Sequence, residues 1–325
     1  MLILRKQAAY RERFENVFKG LEDYRARHPV CKAPVQQRTA GIEALVKNGS
    51  QFYSEEKDSD GNYIGVAVAL QKAYDKMGND AVIASMPYLI AGKANADKKN
   101  YLWQNWFTAL SEENAGIDKK GKLVGAGEEV VITLHGRGIL TPERIRQAYS
   151  EGLTPQNAAK YTDDEFDNLL KGVLPSGESI ELYNVDDVKK GIPEPFGRYA
   201  IWMPAEAAKA TASGYHKKKD FMENTLVIAR AGTLEHLDDY FEKAKDSDGD
   251  VGNWCRLVEI DFRQPQGRLL FVLFTLNGLD GGNLDLSGRF VGVAPEVCEQ
   301  SEVDLRTQRS GVTKAPVGAR KKESQ

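Results

Sequence analysis

The spacing of apolar residues changes once along this chain, and that change constrains the fold more than any single motif does. Before the polar, glycine-rich stretch from Gly116 to Gly127 the apolar positions recur at helical intervals. Phe14, Val17, Phe18, Leu21 and Tyr24 form one stripe that stops at His28-Pro29, because a residue before proline is pushed away from the α region. Ile42, Leu45 and Val46 form a second, and Val68 to Met77 a third, with Gly78 placed as its C-terminal cap. Val82 to Ile90 and the aromatic cluster Tyr101, Leu102, Trp103, Trp106, Phe107 and Leu110 continue the pattern, the cluster reading as a core-filling helix.

After Gly127 the pattern turns to strand-length runs. Val130 to Leu134 is a β-branched run ending at His135-Gly136, and it marks a domain boundary. Further strands are expected at Tyr199 to Met203, Thr225 to Ala229, Leu257 to Phe262, Arg268 to Leu276 and Arg289 to Val293. Threonine N-caps at Thr141, Thr154 and Thr162 open short helices, the last as a capping box with Glu165, and another helix carries Leu234, Leu237, Tyr240 and Phe241. Strands outnumber helices here and their connections are irregular, which suits α+β better than a repeating βαβ sheet. The reading is therefore α+β: a predominantly helical N-terminal region over 1–125, a mixed or antiparallel-sheet domain with short helices over 126–300, and a basic, flexible tail over 301–325.

Composition excludes several classes. With 41% hydrophobic and 28% charged residues the chain is globular in character, and a net charge of -3 opposes a whole-protein grip on nucleic acid. No apolar run is long enough to span a bilayer, and the charge of Arg5 and Lys6 follows the short apolar start, the reverse of a secretory signal. Cys31, Cys255 and Cys298 are odd in number and far apart, which gives neither a disulfide framework nor zinc-ligand spacing; a soluble, cytoplasmic protein without a bound metal is expected.

His28, His216 and His236 have no partner at metal or triad spacing and read as surface residues. His135 stands apart because Gly136 and Gly138 beside it let a ligand approach the backbone. The aspartates of Lys245 to Asp250 and of Lys57 to Gly61 resemble calcium loops but lack the distant glutamate, and both read as turns. Phosphate-loop, Rossmann and nucleophile-elbow motifs are missing from the sequence.

One ordered set of motifs resembles a family. Leu134-His135-Gly136, a capped helix with Ile145, and Glu151-Gly152-Leu153 are similar to the opening of ADP-ribosyltransferases of the poly-ADP-ribose-polymerase and diphtheria-toxin class. Gly197 to Trp202, the small residues Ala205 to Ala212, and Ser213-Gly214-Tyr215 match the elements that follow. The resemblance implies NAD as substrate, held by His135 and Gly136, with Tyr199 or Tyr215 stacked on nicotinamide, and ADP-ribose transferred to an unknown protein or nucleic-acid acceptor. The family's catalytic glutamate has no clear counterpart; Asp285, Glu259 and Glu296 each require a different alignment. The alternative is a non-catalytic structural or interaction protein, a component of a larger assembly.

Overall fold

The computed structural model describes residues 35–294, apart from 79–80, 211–212 and 274–277. The expected helix over residues 10–24 and the basic tail over 301–325 lie outside the described residues. Chain order begins α1 (Val35–Asn48), β1 (Ser50–Ser54), α2 (Gly65–Met77), β2 (Val82–Ile83), α3 (Met86–Asn95), α4 (Tyr101–Gln104), β3 (Phe107–Asp118), β4 (Glu128–His135) and α5 (Pro142–Glu151). It continues β5 (Ala159–Lys160), α6 (Asp163–Leu169), β6 (Glu181–Asn184), α7 (Val185–Lys190), β7 (Tyr199–Pro204), α8 (Ala205–Lys209), β8 (Gly214–His216) and α9 (Lys218–Glu223). The last elements are α10 (Thr225–Ala231), α11 (Leu237–Ala244), β9 (Val251–Trp254), β10 (Gln266–Val272), β11 (Leu279–Gly281) and β12 (Gly288–Val293).

The chain is α+β, with a mixed, mainly antiparallel nine-stranded sheet of order β6-β7-β4-β3-β10-β11-β9-β8 and β5 beside β10. A second sheet, β1-β12-β2, pairs the first described strand with the last. The centre of the large sheet is the hairpin β3–β4, in register from Ser111 opposite His135 to Asp118 opposite Glu128. The expected division at 125/126 falls inside this hairpin's turn, where the Asp118 side chain accepts from the amides of Leu123 and Val124.

Local signals account for much of the rest. Thr141 caps α5 by accepting from the Arg144 amide, and Thr162 with Glu165 forms a complete capping box on α6. Gly78 ends α2 at φ 80. The aspartates at 246–250 form a turn in which Asp246 accepts from the amides of Asp248 and Asp250.

Several expectations are corrected, Val82 and Ile83 among them, which form β2 ahead of α3. Thr225 to Ala229 is helical, because the Asn224 side chain caps it at Val227 and Gly232 closes it in the left-handed region at φ 67. Thr154 opens a turn, its hydroxyl accepting from the Ala158 amide. Leu257 to Phe262 forms turns and bends around Asp261, which binds Arg263 through backbone and side chain. The aromatic cluster at 101–110 is divided: α4 ends at Gln104 and Phe107 begins β3.

Candidate binding site

Side chains directly opposite one another on adjacent strands share a face of the sheet, as do residues two apart. The register therefore places Ser111, His135 and Tyr199 in one row across β3, β4 and β7, and Arg268 and Glu113 in the next row across β10 and β3. α10 covers this face. What lies beneath it is a polar layer in two parts.

The first part contains two of the predicted residues. His135 and Tyr199 are converged, with ring centroids 5.0 Å apart, and both are buried. His135 Nε2 lies 2.9 Å from the Ala229 carbonyl oxygen, which only accepts, so the proton sits on Nε2 and Nδ1 accepts from the Ser111 hydroxyl at 2.9 Å. Ser111 in turn accepts from the Met86 amide at 2.9 Å. Tyr199 donates to the carbonyls of Pro195 and Gly232. Gly232 must be glycine here: a Cβ would lie 2.2 Å from the Tyr199 hydroxyl. Burial pushes the His135 pKa down to about 4, against the supporting bond to Ala229. Both ring nitrogens and the tyrosine hydroxyl are thus engaged within the fold. Gly136 follows at φ 84 on the wall of a separate cavity, and Tyr215, half exposed on β8, sits against Trp254 with centroids 5.6 Å apart. Two of the four predicted residues touch; Tyr215 belongs to a different end of the sheet.

The second part was not legible in the sequence. Arg230 of α10 is fully buried and gives Nε and Nη2 to Glu113 Oε2 at 3.1 and 2.7 Å. Its Nη1 donates to Asn253 Oδ1 at 2.7 Å and to the Trp254 carbonyl at 2.8 Å. Burial works against its charge, but the Glu113 carboxylate, together with Cys255 and Asp280, holds the guanidinium above its ordinary pKa. Beside it Arg268 is 2% exposed, and neither terminal nitrogen has a hydrogen-bond partner among the described residues. Glu113 Oε1, Asn253 Nδ2 and Trp254 Nε1 share that condition. Gly281 lets β11 cross over the group, since a Cβ there would sit 3.0 Å from both Arg230 Nη2 and Glu113 Oε1.

Burial pulls the Arg268 pKa down, and the positive charges of Arg256 and Arg230 add to this against Glu113. Burial raises the Asp280 carboxyl, opposed by Arg230 and Arg256. Three guanidiniums thus face two carboxylates, and exposed Arg256 and Tyr215 stand next to buried Arg268 and half-buried Trp254. Such a cluster has the chemistry to accept an anionic group. Among the described residues no group of three or more His, Cys, Asp or Glu is arranged to hold a metal ion.

No family model matches this chain, and no curated protein does. A solved structure from Nanoarchaeota, described as accommodating massive sequence variation in the C-type lectin fold, aligns over 76% of this chain and 99% of its own length, with a TM-score of 0.55 and 27% identity. The likeness is to a C-type lectin fold. It overturns the ADP-ribosyltransferase resemblance, and with it the expected transferase function. The His-Gly and tyrosine motifs that carried the resemblance do occur at strand ends, but in a sheet of C-type lectin likeness, where His135 and Tyr199 tie the sheet to α10. Among the described residues no helix is long and apolar enough to cross a membrane.

Proposed function

We propose that this chain is a non-catalytic binding protein that receives an acidic group of a macromolecular partner beside the edge strands β8 and β9, against Tyr215, Trp254 and Arg256, next to the buried Arg268 of the central strand β10. The observation that carries the reading is Arg268: a guanidinium held 2% exposed, with neither terminal nitrogen hydrogen-bonded among the described residues, beside the exposed Arg256. Leaving such donors without an acceptor is costly, and an incoming carboxylate, sulfate or phosphate would supply one by a charge-assisted, bidentate pair. The likeness to a C-type lectin fold supports the reading, because the neighbouring protein's fold is described as accommodating massive sequence variation, and loops that tolerate variation suit recognition.

The test is fluorescence anisotropy with labelled acidic and neutral oligosaccharides and peptides at fixed ionic strength. The acidic probes should bind the parent, and Arg268→Met and Arg256→Ala should each weaken them about tenfold. Equal binding by parent and variants would remove this end of the sheet from recognition. NAD serves as the control ligand. It is expected to give neither heat in calorimetry nor released nicotinamide, because the polar atoms of His135 and Tyr199 are already bonded within the fold; release of nicotinamide would restore a transferase.

A further inference from the structure

A separate cavity of about 210 Å³ opens at the N-terminus of α3, and it shares no residue with the arginine cluster. Its walls are the rings of Tyr74, Tyr88 and Phe196, with apolar Val82, Ile83 and Leu110 beneath and Arg137 and Arg198 at the rim. Tyr88 and Phe196 stand 5.0 Å apart, and the Arg137 guanidinium lies 4.9 Å from the Tyr74 ring centroid.

The decisive residue is Ser85. It occupies the N-cap position of a ten-residue helix, with extended backbone suited to capping, yet its side chain makes no capping bond. The Met86 amide is taken by the Ser111 hydroxyl. Ser85 is 3% exposed, lines the cavity, and its hydroxyl has no partner among the described residues. A buried hydroxyl in this condition costs free energy unless something in the cavity bonds it.

Two features then agree on charge, and a third on shape. The N-terminus of a helix favours an anion through its oriented amides. Arg137 carries no ion pair with any described acid, while Arg198 is paired with Glu178. The aromatic walls demand an apolar, flat body on the same ligand. Size narrows it further: a cavity of roughly 150 Å³ holds benzene, so this one has room for one ring and a small substituent.

We propose that this cavity binds a small aromatic carboxylate, its ring against Tyr74 and the Tyr88–Phe196 pair and its carboxylate between the Ser85 hydroxyl and the Arg137 guanidinium. Gly136 contributes by lacking a side chain: at φ 84 its Cα lies beside Arg198, and a Cβ would meet the Arg198 Cγ at 3.4 Å. The site is distinct from the one proposed for an acidic macromolecular partner, and Arg268→Met should leave it untouched.

Benzoate, benzamide and acetate are the probes, titrated into the full chain by ligand-observed NMR and calorimetry. Benzoate should bind, with benzamide and acetate each about tenfold weaker, since one lacks the charge and the other the ring. Arg137→Gln should weaken benzoate about fivefold and Ser85→Ala about threefold. The Ser85 hydroxyl has no bond to lose among the described residues and Arg137 is exposed, so both variants should melt with the parent. Benzoate binding unchanged in both variants, benzamide binding as well as benzoate, or no benzoate binding by folded parent protein would each overturn the proposal.

Discussion

The two parts of the polar layer beneath α10 are built from similar residues and end in opposite states. Around His135 the polar atoms bond one another: Ser111, the two imidazole nitrogens, the Tyr199 hydroxyl and the carbonyls of Ala229, Pro195 and Gly232 form closed chains. Around Arg268 the chains stay open at Glu113 Oε1, Asn253 Nδ2, Trp254 Nε1 and both arginine terminal nitrogens. A closed network fixes one arrangement of helix on sheet, whereas an open one retains bonding capacity for another molecule. The contrast separates residues that look catalytic from residues placed to bind.

Arg230 joins the two parts, being one residue beyond the carbonyl that anchors His135, and its loss should have the largest effect. Arg230→Ala leaves the Glu113 carboxylate buried without its counter-charge and Asn253 without its donor. A loss of about 3–5 kcal/mol in urea unfolding is expected. A loss below about 1 kcal/mol would mean that the buried pair contributes little and that the contrast is overdrawn.

The closed part should show itself next, in the response to acid. His135 has a folded pKa of about 4 against 6.5 when unfolded, so the unfolded chain binds more protons between these values. Its stabilising contribution is complete above pH 6.5 and declines as pH falls toward 4, by on the order of 3 kcal/mol. His135→Gln should flatten this portion of the stability curve in unfolding experiments at pH 4 to 7. A parallel curve in the variant would transfer the acid sensitivity to other groups.

The open part should behave the other way. Arg268→Met removes a buried guanidinium whose terminal nitrogens have no hydrogen-bond partner among the described residues and nearly keeps the volume, so stability should stay level or rise by about 1–2 kcal/mol. If Arg268→Met instead destabilised as strongly as Arg230→Ala, Arg268 would be a structural residue and the two parts would be alike.

Why one part was legible and the other not follows from where the partners lie. The strand β4 and its terminal His135-Gly136 are local signals, as are the caps at Thr141 and Thr162, because each involves residues within a few positions. β3 is the opposite case. Its centre, Ser111-Glu112-Glu113-Asn114, reads as a polar segment, yet all four residues are buried at the middle of the sheet. Glu112 accepts from the Leu140 amide, Asn114 from the Tyr161 hydroxyl, and Glu113 from Arg230, 117 positions away. Nothing in the local pattern announces such partners. α10 was mistaken for a strand for a related reason: Thr-Leu-Val-Ile-Ala has strand composition, and only the flanking Asn224 and Gly232 carry the helical information. The pair Asn224 and Gly232, eight positions apart, was the available signal.

The smallest expected effect bears most directly on what the open part is for. Tyr215 is 49% exposed and packs edge-to-face with Trp254, so Tyr215→Ala should change stability by less than about 0.5 kcal/mol. The same substitution removes a large exposed aromatic that stands beside the arginine cluster, and aromatic residues of this kind carry a disproportionate share of binding energy. Affinity for an acidic partner should therefore fall about tenfold while the melting curve stays in place. Arg230→Ala should lose both at once, and His135→Gln should lose stability in preference to affinity. A Tyr215 variant that binds as well as the parent would move recognition away from β8 and toward the turns after β9, where Arg256 would then be the residue to test.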